Sequence, residues 1–356
     1  MRRNGLFSVL LLAALAGGPL ACRKTPSASS AITPAAVLDT ATHFRNPLLA
    51  VGPDPWVIYQ AGTYYVTHTT GNDLRLYKTP KMSLLARSQT SAVWSPPSSG
   101  PATRDIWAPE LHRINGKWYI YYAAVVSPNS QHRMYVLENE AADPFAGTWT
   151  PKGQMQLPED KWAIDGTVLQ LNNRLYFAWS GWPNAERSGV QNIYLCTMKD
   201  PWTADGPRVL LSTPEFDWEK QGSPDVNEGP EFLTHNNQVF LVYSASHCST
   251  DAYALGMLTA NTTADLTNPT AWTKSPQPVF GPMAADGVYG VGHNSFFTTA
   301  DGKENWILYH ANAEAGQDCS DKRSPRMQRF TWKPDGSPDF GKPVALKTLL
   351  KRPSGE

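Results

Sequence analysis

The sequence predicts an all-β fold, a five-bladed β-propeller with four-stranded antiparallel blades around a central channel. One pattern, a polar residue followed by an apolar stretch, a tight turn and an aromatic-rich strand, occurs five times at intervals of 54 to 65 residues. Each copy contains a β-hairpin signal, and no stretch shows sustained helical periodicity. Repeats of this kind are typical of propeller blades, so five copies predict five blades.

The copies differ in their first residue and share a turn at their centre. They read DPWVIYQAGTYYVTHTT, APELHRINGKWYIYYAA, DGTVLQLNNRLYFAWSG, EGPEFLTHNNQVFLVYSAS and HNSFFTTADGKENWILYHAN, and they begin at Asp54, Ala108, Asp165, Glu228 and His293. The central turns are Ala61-Gly62, Asn115-Gly116, Asn172-Asn173, Asn236-Asn237 and Asp301-Gly302. These residue types tolerate positive φ and close β-hairpins. The fifth copy has a longer turn, and Glu228 lies one position earlier than the other first residues when the copies are aligned on their turns.

The N-terminus is typical of an export signal. A basic start and an apolar run over residues 6–15 lead to Ala21-Cys22, which predicts a signal peptide of the lipoprotein type over residues 1–21. Residues 22–40 are small and polar and predict a flexible tether, and residues 41–350 are expected to form the propeller domain. We therefore expect an exported chain anchored through lipidated Cys22 at the cell surface or in the periplasm. Ordinary secretion is the alternative.

Composition excludes several partners. With 31 basic and 31 acidic residues, the chain has no net field that would attract nucleic acid or an acidic membrane surface. Outside the signal peptide no segment is apolar enough for a membrane, so a lipid anchor is the expected membrane contact. The 13 Trp and 14 Tyr residues favour sugar binding, because a flat ring stacks on the apolar face of a sugar. We expect a monomer.

Three cysteines remain beside Cys22. Cys196 lies in the apolar segment NIYLCTM and is expected to be a buried, inert thiol. Cys248 and Cys319 both follow strand patterns on neighbouring blades, and an oxidising compartment allows them to form a disulfide. The sequence contains no CxxC and no HExxH motif, so a zinc site is not expected. We expect no cofactor for the chemistry.

The first residue of each copy should face the channel, because propeller blades place their first strands around it. Three of these residues are carboxylates: Asp54, Asp165 and Glu228. A charged side chain in a narrow channel is poorly solvated, and such a cost is typical of functional sites. An alternative for any one of them is a turn residue that caps backbone amides.

Blade order separates the roles of these carboxylates. Blades 3 and 4 are neighbours, so Asp165 and Glu228 should be close, whereas Asp54 on blade 1 lies across the channel. Two carboxyls about 6.5–9.5 Å apart leave room for a water and are typical of inverting glycoside hydrolysis. Asp54 is then the general base and Glu228 the general acid, and the charge of Asp165 raises the pKa of Glu228.

With these residues in this order, the sequence resembles glycoside hydrolase family 43, and it is most similar to the exo-acting α-L-arabinofuranosidase branch of that family. The likeness covers residues 44–345 and is carried by NPLLAVGPDPWVIY, IWAPELH, KWAIDGTV, VNEGPEF and YGVGHNSF. It implies the same three roles: Asp54 as base, Asp165 as pKa modulator and substrate-orienting residue, and Glu228 as acid.

The resemblance also implies further contacts with substrate and metal. His293 is expected near a cation, often calcium, in the channel, either as a ligand or through water, and otherwise is a satisfied buried side chain. Arg323 in KRSPRMQRFTW is the expected sugar contact, with Arg326 as its competitor and a solvated surface charge as the alternative. Trp107, just before the first strand of blade 2, and Trp182 in WSGWP are expected to line the sugar pocket, with core packing as the alternative.

The leading functional prediction is an inverting, exo-acting enzyme that releases L-arabinofuranose from arabinan or arabino-oligosaccharides. The substrate is then a plant polysaccharide or oligosaccharide that contains arabinose. A β-xylosidase on xylose-containing chains and an endo-arabinanase share the fold and carboxylates and stay open. A non-catalytic cell-surface sugar-binding lipoprotein is the alternative of another class. A retaining fructan-type enzyme would need its two carboxyls about 5–5.5 Å apart.

Overall fold

The structure is a computed structural model that describes residues 41–125, 131–184 and 188–356. The predicted signal peptide, Cys22 and the tether over residues 22–40 lie outside the described residues, so these three remain predictions. No helix of the described ranges is long and apolar enough to cross a membrane.

Most of the described strands form five antiparallel sheets that follow one another along the chain, and each of these sheets is one blade. Blade 1 contains β2 (Trp56–Gln60), β3 (Thr63–Thr67), β4 (Leu74–Thr79) and β5 (Gln89–Trp94). Blade 2 contains β6 (Arg104–Ile114), β7 (Lys117–Val125), β8 (Arg133–Asn139) and β9 (Thr150–Gln154). Blade 3 contains β10 (Ala163–Leu171), β11 (Arg174–Gly181), β12 (Asn192–Asp200) and β13 (Thr203–Ala204), and β14 (Val209–Ser212) also pairs with β12.

The last two blades have the same order. Blade 4 contains β15 (Asn227–His235), β16 (Gln238–Ala245), β17 (Ala254–Asn261) and β18 (Thr273–Lys274). Blade 5 contains β19 (Tyr289–Thr298), β20 (Asn305–Asn312), β21 (Ser324–Trp332) and β22 (Pro338–Asp339). Short 3-10 helices occupy Met82–Arg87, Asp217–Glu219, Pro269–Ala271 and Ala284–Asp286. The predicted fold class is confirmed, with β14 as an added strand in blade 3.

The blades close into a ring. Their first strands contact one another in the order β2, β6, β10, β15, β19 and back to β2, so blade 5 lies beside blade 1. Between each pair of neighbouring blades the described residues form an apolar cluster, which includes Cys196 between blades 2 and 3 as expected. Burial of these apolar faces stabilises the closed ring.

The segments directly before blade 1 and after blade 5 add contacts that hold these two blades together. Strand β1 (His43–Phe44) pairs with β23 (Leu350–Lys351). The Glu356 carboxylate accepts hydrogen bonds from the Met82 and Ser83 backbone N–H groups at 2.7 and 3.2 Å. Packing therefore continues past residue 350, where the sequence placed the end of the propeller domain.

The predicted hairpin turns are confirmed, because four of them connect strands through two residues that both have positive φ. Asn115 and Gly116, for example, have φ of 50° and 83° between paired Ile114 and Lys117. Such turns match the right-handed twist of the strands they join. In blade 5 the connection is longer, over residues 299–304, also as predicted.

Candidate active site

Each blade has a residue with positive φ at the repeat position that faces the channel, within its first strand or just before it. These residues are Asp54 (φ 55°), Ala108 (42°), Asp165 (54°), Gly229 (52°) and His293 (47°). In blades 2 to 5 the pairing with the second strand shifts register there, as in a β-bulge. A bulge re-aims side chains, and left-handed backbone costs a non-glycine residue about 1–3 kcal/mol, a cost that is concentrated at functional sites.

The bulge explains the register of Glu228. In blade 4 the left-handed position is Gly229, so Glu228 lies one residue before the position that Asp54 and Asp165 occupy. A Cβ at Gly229 would lie 3.1 Å from Nδ1 of His293, so this position has little space for a side chain. The one-residue offset read from the sequence is therefore a real feature of the fold.

Side chains of the preceding blade bind the backbone N–H groups of these bulges. Asp54 N–H donates to Nδ1 of His310 at 3.0 Å, and Ala108 N–H donates to the Thr69 hydroxyl at 2.7 Å. Gly229 N–H donates to Oδ2 of Asp165 at 3.0 Å. These contacts fix each bulge against its neighbouring blade, and so fix the direction in which the channel side chains point.

Asp54 is a buried carboxylate beside a permanent cation. Arg323 donates from Nη1 to Oδ1 of Asp54 at 3.0 Å. Burial alone would raise the pKa of Asp54, but Arg323, with smaller contributions from His293 and His310, outweighs it and holds the pKa well below its usual value. Asp54 is therefore ionised at neutral pH.

The two histidines beside Asp54 are neutral. Burial lowers the pKa of His310 to about 4, and burial also lowers the pKa of His293. Nδ1 of His310 accepts the Asp54 N–H, so the ring proton is on Nε2, and its 3.4 Å approach to Oδ1 of Asp54 is not an ion pair. The contacts of Arg323, His293 and His310 with the Asp54 carboxylate all involve Oδ1. Within the described residues, Oδ2 of Asp54 is therefore available to accept a proton from a water.

Asp165 and Glu228 are buried carboxyls on the neighbouring blades 3 and 4. Burial, and next the charge of Glu228, raise the pKa of Asp165 well above its usual value. Burial raises the pKa of Glu228 to about 7, while a hydrogen bond from Tyr253 acts in the opposite direction. Two adjacent buried carboxyls do not both ionise readily, so near neutral pH the pair retains a proton.

Tyr253 is a site residue that sequence reasoning missed. Its hydroxyl donates to Oε1 of Glu228 at 2.8 Å, and its ring stacks on His310 at 5.8 Å with an interplanar angle of 4°. It lies in the loop after β16, outside the repeated segment, so no signal in the repeat pointed to it. The side chain of Gln191, the residue before β12 in blade 3, also hydrogen-bonds Glu228.

The two candidate arginines have separate positions. Arg323 lies at the channel on Asp54, with its side chain 13% exposed. Arg326 is fully buried in blade 5, where Nη2 donates to the carbonyl oxygens of Ala311 and Asn312. Arg326 is therefore neither a sugar contact nor a solvated surface charge, and Arg323 is the arginine that the structure brings to the carboxylates.

The two predicted tryptophans belong to one aromatic row at blades 2 and 3. Trp107 stacks on His132 with centroids 4.0 Å apart, His132 meets Trp162 edge to face at 6.2 Å, and Trp162 stacks on Trp182 at 4.8 Å. Trp107 lies within β6 and not before it, because β6 already begins at Arg104. Trp107 and Trp182 are partly buried against the cluster between blades 2 and 3, so each combines core packing with an accessible face.

The nitrogen donor of His293 does not fit direct ligation of calcium, and a cation held near His293 through water stays a prediction. Calcium takes six to eight oxygen ligands, whereas His293 offers a nitrogen 3.4 Å from the Asp54 carboxylate. Among the described residues, the group of three metal-ligating side chains with close ligand atoms is His247, Cys248 and Cys319, which does not include His293. No step proposed below uses a metal.

The predicted disulfide is confirmed. Cys248 and Cys319 are bonded, and they connect the loop after β16 in blade 4 to the loop after β20 in blade 5. Their sulfur atoms are therefore not free to act as the metal ligands that their closeness to His247 would otherwise suggest.

The arrangement provides an ionised base and a protonated acid in one channel. Asp54 is kept ionised by Arg323, while burial keeps a proton on the pair of Asp165 and Glu228. Paired carboxyls with environments that push their pKa values apart are the arrangement that glycoside hydrolysis requires.

Comparison with known proteins agrees with this chemistry. The model of "Glycosyl hydrolases family 43" matches residues 44–338. The "Extracellular exo-alpha-(1->5)-L-arabinofuranosidase" of Streptomyces avermitilis is 41% identical over 311 residues, which cover 85% of this chain and 64% of that protein, so the chain spans less than two thirds of that relative's length. The protein of the same name from Streptomyces chartreusis is 39% identical over 75% of this chain and 82% of its own length.

Among solved structures, the chain is similar to the α-L-arabinofuranosidase from Lactobacillus brevis. The TM-score is 0.81 with 37% sequence identity, and the match covers 86% of this chain and 98% of the other. The match to the family model extends from β1 to β22 and therefore includes all five blades with their channel residues. The chain belongs to glycosyl hydrolase family 43.

Proposed function

We propose that the protein is an exo-acting, inverting α-L-arabinofuranosidase that releases L-arabinofuranose from arabinan or arabino-oligosaccharides. The observation that carries this proposal is the contrast between Asp54 and Glu228. One carboxyl has a pKa held well below its usual value, and the other has a pKa raised to about 7. Inverting hydrolysis requires one carboxylate and one carboxylic acid on opposite sides of the scissile bond.

Asp54 acts as the general base in this mechanism. Arg323 holds Oδ1, so Oδ2 accepts a proton from a water as the water oxygen attacks the anomeric carbon. Because the carboxylate stays ionised well below pH 7, the base is competent in mildly acid surroundings. The ion pair with Arg323 limits the basicity of Asp54 and also fixes the orientation of its carboxylate.

Glu228 acts as the general acid. It gives its proton to the glycosidic oxygen as the bond to the anomeric carbon breaks, so the leaving sugar departs as an alcohol. Tyr253 holds Oε1 of Glu228 and sets the plane of the carboxyl group. Asp165, whose Oδ2 accepts the Gly229 N–H directly after Glu228, is held beside the acid and shares the single proton of the pair with it.

The proposed substrate specificity rests on the names of two relatives. The names of the two Streptomyces proteins specify an exo action and an α-(1→5)-linked arabinofuranoside. Trp107 and Trp182, the partly exposed members of the row, support sugar binding, because the buried rings of His132 and Trp162 hold them as rigid apolar surfaces. We assign this row to the sugar pocket.

A substrate panel tests the proposal. We expect p-nitrophenyl α-L-arabinofuranoside to be hydrolysed well, the β-D-xyloside at least about tenfold less, and linear arabinan to release only arabinose. A preference for the xyloside favours the β-xylosidase. Release of arabino-oligosaccharides from arabinan favours the endo-arabinanase, and no turnover of any glycoside favours the sugar-binding lipoprotein.

The Asp165→Asn variant tests how the acid is kept protonated. Activity falls as pH rises through the pKa of Glu228, since the acid must carry a proton. Removing the Asp165 charge lets Glu228 ionise more easily, so we expect the alkaline limb of the kcat/KM profile to move to lower pH by about one unit. An unchanged limb would mean that Asp165, and not Glu228, holds the proton of the pair.

Export and anchoring complete the proposal. Both Streptomyces relatives are named extracellular, which supports export of this chain as well. We further propose lipidation at Cys22, on the pattern that precedes it. The mass of the N-terminal peptide from the native host's envelope tests this, and an unmodified N-terminus or one cleaved elsewhere would contradict it.

A further inference from the structure

Two loops on the channel face are cross-linked to each other. The first, residues 246–253, joins β16 to β17 in blade 4, and the second, residues 313–323, joins β20 to β21 in blade 5. We call them the bridged loops. The disulfide between Cys248 and Cys319 links them, and Gly316 N–H donates to Oδ1 of Asp251 at 2.9 Å. The backbone carbonyl of Asp251 also accepts the Gly290 N–H at 3.1 Å, which ties the first loop to the start of β19.

Each bridged loop ends on a partner of one active-site carboxyl. The first loop ends with Tyr253, whose hydroxyl donates to Glu228 at 2.8 Å. The second loop ends with Arg323, whose guanidinium donates to Asp54 at 3.0 Å. The bond therefore connects the two loops that carry the hydrogen-bond partners of the acid and of the base.

The path from the disulfide to each partner is short and internally bonded. Ser320, directly after Cys319, accepts the Nε–H of Arg323 through its carbonyl oxygen at 3.1 Å. On the other side, Thr250 N–H donates to the His247 carbonyl at 2.9 Å, and Tyr253 N–H donates to the Thr250 carbonyl at 3.4 Å. Such turns transmit a displacement of the bridge to Arg323 and Tyr253 instead of absorbing it.

The packing of the Tyr253 ring makes the position of its hydroxyl depend on the position of the first bridged loop. The ring packs directly on the backbone of Gly292, where a Cβ would lie 2.0 Å from it. Because backbone does not yield as a flexible side chain does, a displacement of the loop would move the ring along this surface and shift its hydroxyl. A misplacement of about 1 Å at a catalytic contact can cost about 10²-fold in rate.

The fold itself has other means of holding blades 4 and 5 together. Their interface contains a buried apolar cluster that includes Phe240, Leu255, Ile307 and Tyr309, and β15 and β16 both contact β19. The disulfide lies in the bridged loops, outside this apolar cluster. Its loss should therefore leave the propeller folded and disturb chiefly the positions of the loop ends.

We propose that the Cys248–Cys319 bond is a positioning device for catalysis, which sets Tyr253 on the general acid and Arg323 on the general base. The inference rests on the proposed function of Glu228 and Asp54. Cys248 and Cys319 touch no reacting group, so they act as positioning residues through Tyr253 and Arg323. The oxidising conditions that an exported chain meets thereby become a requirement for full activity.

The test compares wild type with Cys248→Ser/Cys319→Ser on whichever glycoside the wild type hydrolyses. We expect kcat to fall about tenfold or more while KM changes less than about threefold. We also expect the alkaline limb of the pH–kcat profile to move to higher pH, because the Tyr253 hydrogen bond lowers the pKa of Glu228 and is weakened in the variant. Cys196→Ala, in the core between blades 2 and 3, is the matched control and should retain wild-type kcat.

A double-mutant cycle with Tyr253→Phe separates positioning from simple stabilisation. In the Tyr253→Phe background, removal of the disulfide should no longer move the alkaline limb, and its effect on kcat should be smaller than in wild type. Unchanged kcat with a lowered melting temperature, or fully additive effects, would overturn the inference and leave the proposed function intact. A folded wild type that hydrolyses no glycoside would overturn the proposed function and this inference together.

Discussion

Asp54→Asn is expected to lower kcat/KM by about 10²–10⁴-fold on natural and activated substrates alike. The attacking water needs a base whatever the leaving group is, and among the described channel residues Asp54 is the carboxylate that an adjacent cation keeps ionised. Steady-state kinetics on arabino-oligosaccharide and on a dinitrophenyl glycoside measure both losses.

The matched control is Asp335→Asn, in the exposed turn before β22, which should keep wild-type kinetics. A melting temperature near that of wild type shows that Asp54→Asn is folded despite the loss of charge beside Arg323. Retention of activity on the dinitrophenyl substrate by Asp54→Asn would identify Asp54 as the acid instead of the base.

Glu228→Ala is expected to separate natural from activated substrates. Hydrolysis of arabino-oligosaccharide should fall by about 10²–10⁴-fold, because the departing alkoxide needs the proton of Glu228. A dinitrophenolate is stable without a proton, so on the activated glycoside the loss should be within about tenfold. The ratio of kcat/KM on the two substrates, compared with that of wild type, measures the effect.

Glu228→Gln is the companion variant, since it keeps an acceptor for the Tyr253 hydroxyl while it removes the acidic proton. It should show the same selectivity for the activated substrate. Equal losses of both substrates in Glu228→Ala and Glu228→Gln would show that Glu228 is not the proton donor to the leaving group.

The repeat pattern contained most of the fold and the three carboxylates, because both depend on local sequence. Hairpin turns such as Asn115-Gly116 need residues that adopt positive φ, and this need is visible in one short segment. The same holds for Asp54 and Asp165, which occupy equivalent positions with positive φ in their blades. A blade is built from consecutive residues, so its signals stay together along the chain.

The partners of the carboxylates could not be predicted in the same way. Tyr253 reaches Glu228 from a loop, and His310 reaches the Asp54 N–H from the second strand of blade 5, 256 residues away in sequence. The Tyr253 contact forms within blade 4, between the loop after β16 and the start of β15. The His310 contact exists only because the ring closes and brings blade 5 beside blade 1. The ion pair of Arg323 with Asp54 has the same origin, and through it Arg323, which was predicted as a sugar contact, lowers the pKa of Asp54.

The anomeric configuration of the first product tests the central claim most directly. If Asp54 activates water on the face opposite to the leaving group that Glu228 protonates, hydrolysis proceeds by a single displacement with inversion. Proton NMR at early times, before mutarotation, should then show β-L-arabinofuranose from an α-L-arabinofuranoside. Initial appearance of the α-anomer would require a covalent intermediate and would contradict the roles assigned to Asp54 and Glu228.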